Sequence, residues 1–137
     1  MALSGASSGD KKNKYNIKEP ETVKADILES IEYESQRNIN IVIKQPEFTS
    51  LCPMTGLPDF GCITVKYQPG KKIIELKSLK FYLLQYRNVG IFYEHVVNRI
   101  IDDLVAKLGP KWMVVTGDFT SRGGITTQTS VEFIGEK

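Results

Sequence analysis

The 137-residue chain has one histidine, one tryptophan, two cysteines and no large excess of either charge. Each scarcity excludes something. The two cysteines, Cys52 and Cys62, make no disulfide framework, and a chain this long needs no such staple. Both read as reduced thiols of a cytoplasmic protein. With His95 as its one histidine and no Cys/His cluster at ligand spacing, the chain offers no metal site. A net charge of +2, with Lys and Arg spread along the sequence, makes no electrostatic case for direct nucleic-acid binding. No apolar run approaches the roughly 20 residues of a membrane helix. No G-x-G-x-x-G follows a strand pattern, so a Rossmann cofactor site is excluded.

What is present has the balance of one globular domain, 41% hydrophobic and 25% charged. Met1 to Lys14 has no apolar stretch and is not a secretory signal. Residues 1–19 read as a flexible tail and 20–137 as a single domain. Val23, Ile27, Leu28 and Ile31 fit one face of a short helix, or equally an irregular packed segment. Ile39, Ile41 and Ile43 alternate as a strand that Pro46 should end. Glu47 to Gly61 contains Pro53, Gly56 and Pro58 and reads as a structured loop. Cys62 to Tyr67 and Lys72 to Leu76 read as a hairpin around the turn Gln68-Pro69-Gly70-Lys71.

Two helical patterns follow. Leu79, Tyr82, Leu83 and Tyr86 mark the first. Phe92, Val96, Val97, Ile100, Ile101, Leu104, Val105 and Leu108 form the longer stripe of the second, stopped by Gly109-Pro110. Lys111 to Phe119 and Ile125 to Phe133 are strands joined by a turn over residues 120–124. This order predicts an α+β fold: an antiparallel sheet with two helices on one face and open edges that invite neighbouring subunits.

The candidate chemistry lies in the proline-rich loop. A cysteine attacks as thiolate, and its free pKa of about 8.5 must be lowered or a base supplied. Asp59 lies in the same loop as Cys52, and a turn through Thr55 to Pro58 would fold its carboxyl back toward the sulfur. The pair then supplies a nucleophile and an acid-base group. The bland alternative is a core thiol and a turn-forming aspartate. Lys77 and Lys80 stand three apart at the start of a helix, where they suit phosphates or simply form a solvated face. Glu94 lies in the first turn of the long helix, either stabilising its dipole or accepting N–H donors from a purine-like edge. Arg122-Gly123-Gly124 is a tight turn that also offers a cation and bare N–H groups to an anion.

Several of these segments together resemble one family, the NADPH-dependent 7-cyano-7-deazaguanine reductases of queuosine biosynthesis. The motifs are residues 47–53 (EFTSLCP), 56–60 (GLPDF), 75–82 (ELKSLKFY), Tyr86-Arg87-Asn88 and Arg122-Gly123-Gly124. The similarity spans Asp26 to about Phe133. It implies a tunnelling fold (T-fold), whose subunits join sheets into a pentameric barrel, and active sites at subunit interfaces. It implies reduction of a nitrile to a primary amine, with Cys52 forming a thioimide and Asp59 as acid. Substrate contacts are implied for Ile74, Glu75, Leu76, Tyr93 and Glu94. NADPH phosphate contacts are implied for Lys77, Lys80 and Arg122. One position departs from the pattern: many members have His-Glu where this chain has Tyr93-Glu94. Tyrosine, with a pKa of about 10, does not relay protons at neutral pH as histidine does.

Two rivals remain. Relatives on the same scaffold use thioimide chemistry as amidinotransferases on a nitrile-bearing tRNA base; the lysines of residues 75–82 argue against this. A non-catalytic T-fold protein binding a pterin or purine would need Glu94 but neither Cys52 nor Asp59.

Overall fold

The computed structural model describes residues 17–135. Most of the expected tail, residues 1–16, lies outside the described residues. Lys18 bridges Val89, with its N–H donating to Asn88 O at 2.6 Å and its carbonyl accepting from Gly90 N at 2.9 Å.

Six strands and two α-helices follow. Strand β1 is Ser30–Glu32, β2 Ile41–Leu51, β3 Pro58–Gln68, β4 Lys72–Ile74, β5 Trp112–Arg122 and β6 Ile125–Ile134. Helix α1 is Leu76–Leu84 and α2 is Tyr93–Leu108. The main sheet is antiparallel in the order β2-β3-β5-β6, and β1 pairs only with β4. This is the predicted α+β architecture. One sheet face carries the core: Ile63, Val65 and Tyr67 of β3 and Met113, Val115 and Phe119 of β5 are buried at alternate positions. Helix α2 covers them with Val96, Val97, Ile100, Ile101, Leu104 and Leu108. Burying such side chains stabilises by roughly 1.5–3 kcal/mol each. Gly109 ends α2 at φ +55°, the left-handed conformation glycine adopts without strain.

One open alternative is resolved and two sequence expectations are corrected. The possible helix at residues 22–33 is two 3₁₀ turns, Pro20–Thr22 and Ala25–Ile27, followed by β1. Val23 and Leu28 are buried from this irregular run without helical periodicity. The loop expected over residues 47–61 shrinks to residues 52–57, because β2 continues past Pro46 and β3 begins at Pro58. Proline is tolerated there because β2 is an edge strand and its register with β3 shifts between Gln45 and Phe48, so no ladder N–H is required of Pro46. The expected hairpin of residues 62–67 with 72–76 does not form. The turn at Pro69-Gly70 sends β4 away to β1, with Ser30 opposite Ile74, while β3 pairs with β2 and β5.

Candidate active site

Two backbone junctions build the site. The end of β2 docks on the segment leading into α2: Leu51 N–H donates to Val89 O at 2.9 Å, and Ile91 N–H donates to Leu51 O at 3.1 Å. This holds Cys52 against the first turn of α2. The short loop then closes on itself, with Cys52 N–H donating to Leu57 O at 2.9 Å and Gly56 N–H to Cys52 O at 2.8 Å. Gly56 adopts φ +75°, which this reversal requires. The chain therefore returns along β2 as β3, and Asp59 pairs with Ser50 two residues from Cys52.

The expected approach of the two groups is realised. Cys52, 5% exposed, and Asp59, 4% exposed, line one cavity of about 140 Å³ with Pro53, Phe92, Tyr93, Glu94 and Arg122. The cavity sits at the N-terminus of α2, whose first turn has no side-chain cap. That end of the helix carries positive potential, which favours a thiolate. Burial pushes the Cys52 thiol up, but hydrogen bonds outweigh it and leave the thiol below its ordinary value. They come from the Thr55 hydroxyl, the backbone of Thr55 and Met54, and the Arg122 guanidinium.

Asp59 is held by two donors on the same oxygen. Tyr93 Oη donates to Oδ1 at 3.0 Å, and Arg122 forms an ion pair with Oδ1. Oδ2 takes no protein donor among the described residues. Burial first, then the hydrogen bond to Asp59, raises the Tyr93 hydroxyl above its ordinary value, so Tyr93 stays a donor at neutral pH. Its ring is fixed from both sides. It stacks on Phe119 at 4.0 Å and 13°, and the Arg122 guanidinium lies 5.4 Å from its centroid. Two glycines make room for this stack. A Cβ on Gly61 would lie 2.8 Å from Phe119 Cδ1, and one on Gly117 would lie 2.7 Å from Phe119 Cε2.

The other expected residues lie elsewhere in the protomer. Ile74 is buried in the core, and its N–H donates to Tyr67 Oη at 3.0 Å. Glu75 caps α1, its carboxylate accepting from Lys77 N and Ser78 N, both at 2.8 Å. Leu76 is exposed, as are Lys77 and Lys80. None of these five lines the Cys52 cavity. Cys62 points to the other sheet face, half-buried near Thr64. Sequence reasoning missed Thr55 as a donor to the thiol. It also missed Arg122 as the partner of Asp59, which is 63 positions away in sequence, with no local signal to join them.

The thiol's environment carries a prediction. A hydrogen bond to a charged group stabilises it more than one to a neutral group. In Thr55→Val, the pH profile of Cys52 alkylation should therefore move upward, with the rate falling at pH 7. The check is iodoacetamide labelling followed by peptide mass analysis. A profile identical to wild type would remove Thr55 from thiolate stabilisation.

Fold and site together define an α+β protein with a depressed-pKa cysteine and a carboxyl group enclosed at a helix N-terminus. The family model described as QueF-like protein matches residues 58–137. That stretch takes in Asp59, Glu94 and Arg122 but begins after Cys52. Reductases named NADPH-dependent 7-cyano-7-deazaguanine reductase resemble nearly the whole chain. The one from Thermoanaerobacter pseudethanolicus is 51% identical over 118 residues, 85% of this chain and 89% of that protein. The one from Chloroherpeton thalassium is 51% identical over 116 residues, 84% of this chain and all of that protein. A crystal structure titled as the archaeosine synthase QueF-Like in the apo form superposes with a TM-score of 0.64 at 19% identity, covering 76% of this chain and all of that one. That likeness establishes the shared fold. The chain belongs to the QueF-like family.

Proposed function

We propose that this protein reduces the nitrile of 7-cyano-7-deazaguanine to the aminomethyl group of 7-aminomethyl-7-deazaguanine with NADPH, in queuosine tRNA-modification biosynthesis. The observation that carries the reading is the meeting of Cys52, Asp59 and Glu94 around one cavity, in a chain half identical to proteins named for that activity. The amidinotransferase alternative gains nothing from the structural relative, whose likeness at 19% identity is one of fold.

In this reading the Cys52 thiolate attacks the nitrile carbon. A carbon–sulfur bond forms, one π pair moves to nitrogen, and Asp59 delivers a proton there from Oδ2, the oxygen without a protein donor. The product is a thioimide on Cys52. NADPH, when bound, supplies hydride, and two molecules are needed in turn because nitrile to amine is a four-electron change. When the carbon–sulfur bond breaks after the first reduction, sulfur leaves as a thiolate into the same donors that lower its pKa. Covalent capture divides a hard reduction into easier steps and retains the reactive intermediate. Glu94 accepts hydrogen bonds from the deazaguanine edge, and Tyr93 orients Asp59 where other members use histidine.

For the cofactor, the residues present fit. Lys77 and Lys80 are exposed and have no carboxylate partner among the described residues, Lys80 lying only over the Phe81 ring at 5.7 Å, so both can turn to phosphate. Arg122 pairs with Asp59 through one terminal nitrogen, and a guanidinium carries five N–H donors, so others remain available. Ile74, Glu75 and Leu76 serve the substrate from a neighbouring copy in a ring of this cytoplasmic enzyme. The free edges of β2 and β6 support such a ring. So do Ile125 and Ile134, 72% and 73% exposed on β6. Light scattering should give a mass at least five times 15.4 kDa; a monomer would defeat the shared-site arrangement.

The test of the function itself is spectrophotometric. Oligomeric protein given 7-cyano-7-deazaguanine should oxidise about two NADPH per nitrile consumed, the ratio a four-electron change demands. No oxidation by intact, assembled protein would overturn the reductase reading.

A further inference from the structure

Tyr93, the first residue of α2, lines the Cys52 cavity, while Leu108, its last, 15 residues on, lines a different one. At 1.5 Å per residue the two lie about 22 Å apart along the helix. This second cleft has a volume of about 660 Å³ and is formed by Tyr33, residues 35–37, the β3–β4 turn and the C-terminal end of α2. Arg37, Lys71, Lys72, Lys107 and Lys111 line it, and among the described residues no carboxylate does.

The cleft's cations are mostly exposed, but the walls that carry them are fixed in place. Its walls are pinned to one another: Tyr33 N–H donates to Lys71 O at 2.8 Å, Lys111 N–H to Gln68 O at 3.0 Å, and Tyr33 Oη to Arg37 O at 2.7 Å. At its base Gly70 packs so closely on the end of α2 that a Cβ would lie 2.7 Å from Gly109 O. None of the five cations has an ion-pair partner among the described residues; Lys111 Nζ alone makes a side-chain bond, to Asn38 Oδ1 at 2.6 Å. The carbonyl end of α2 opposes an anion with about half an elementary charge, a small fraction of the five positive charges facing it. Removing those five from the chain's 18 cations leaves 13 against 16 acids, a net charge of −3 elsewhere. The positive potential is therefore concentrated in one concavity the size of a small-molecule site. An acidic remainder disfavours a long nucleic acid, which would have to cross it.

We propose that this cleft binds a compact polyphosphate, the di- or triphosphate group of a nucleotide or its inorganic equivalent. The proposal rests on the cleft and is independent of the reductase reading. The probes are inorganic tripolyphosphate and magnesium-free ATP, titrated by calorimetry into the assembled protein. In K77Q/K80Q, where the cofactor lysines are removed, both should bind at one site per chain, more weakly as salt rises. Equal affinities would mark the phosphates as the whole determinant, and tighter ATP would add a nucleoside contact; either supports the site. The variant K71Q/K72Q/K107Q should lose at least about tenfold in affinity, since it removes three charge-assisted contacts, while K77Q/K80Q keeps wild-type affinity. Should the triple variant melt early, Lys72→Glu alone gives the same comparison with one exposed side chain. Undiminished binding in the cleft variants overturns the proposal. So does loss confined to K77Q/K80Q, binding of duplex RNA but not tripolyphosphate, or no binding at all.

Discussion

Cys52→Ala should abolish the substrate adduct seen by intact mass and lower NADPH oxidation by about 10⁴-fold or more, the scale on which removing a covalent nucleophile acts. The expectation follows from position as much as from residue type. Cys52 is buried, lines the cavity opposite Asp59, and is supplied with hydrogen bonds from Thr55, Met54 and Arg122 that hold its pKa down. Alanine keeps the backbone pair with Leu57 and Gly56 and removes only a small side chain. The variant should therefore melt within a few degrees of wild type, as a loss of about 1 kcal/mol implies for a domain of this size. The internal control is Cys62. It sits ten residues on, toward the other sheet face, with Thr64 as its neighbour. An adduct that persists in Cys52→Ala, or maps to Cys62, would show that the nucleophile is misassigned.

The readable and unreadable parts of this molecule divide by range. Helices α1 and α2 were legible because their apolar stripes repeat at helical spacing over many residues, and Gly109-Pro110 marks an end without tertiary help. The approach of Asp59 to Cys52 was legible because one tight loop joins them. What failed was pairing. The strand after Pro69-Gly70 has a good hairpin turn before it, yet β4 joins β1, because β3 already has β2 and β5 on its two edges. Pro46 looked like a strand terminator because nothing local reveals that β2 is an edge strand with a shifted register. Arg122 was read as a cation for phosphate, and its bond to Asp59 depends on β3 and β5 lying side by side, which brings together residues far apart in sequence. Tyr93 is the instructive case. The sequence flagged it as a departure from histidine, and only the stack on Phe119 shows that its hydroxyl is aimed at Asp59.

Asp59→Asn should cut turnover by about 10²–10⁴-fold, the usual contribution of a positioned general acid, while leaving Cys52 alkylation at pH 7 within about threefold of wild type, half a pKa unit or less. The two readouts separate because the carboxyl and the thiolate have different supports. The thiolate's donors in the 52–57 loop do not pass through Asp59. Asparagine is close in shape, so Tyr93 can still donate to its side-chain oxygen and the loop should keep its form. Arg122 loses its ion-pair partner, but it is half exposed and can be solvated, so stability should change little. What asparagine cannot do is carry a proton on the second oxygen to the nitrile nitrogen. Thioimide formation should then slow along with turnover, which rapid-quench intact mass would detect. If the adduct forms at the wild-type rate and only NADPH oxidation falls, Asp59 acts after capture, in the reductive steps. If alkylation slows in step with turnover, Asp59 supports the thiolate and is not the acid.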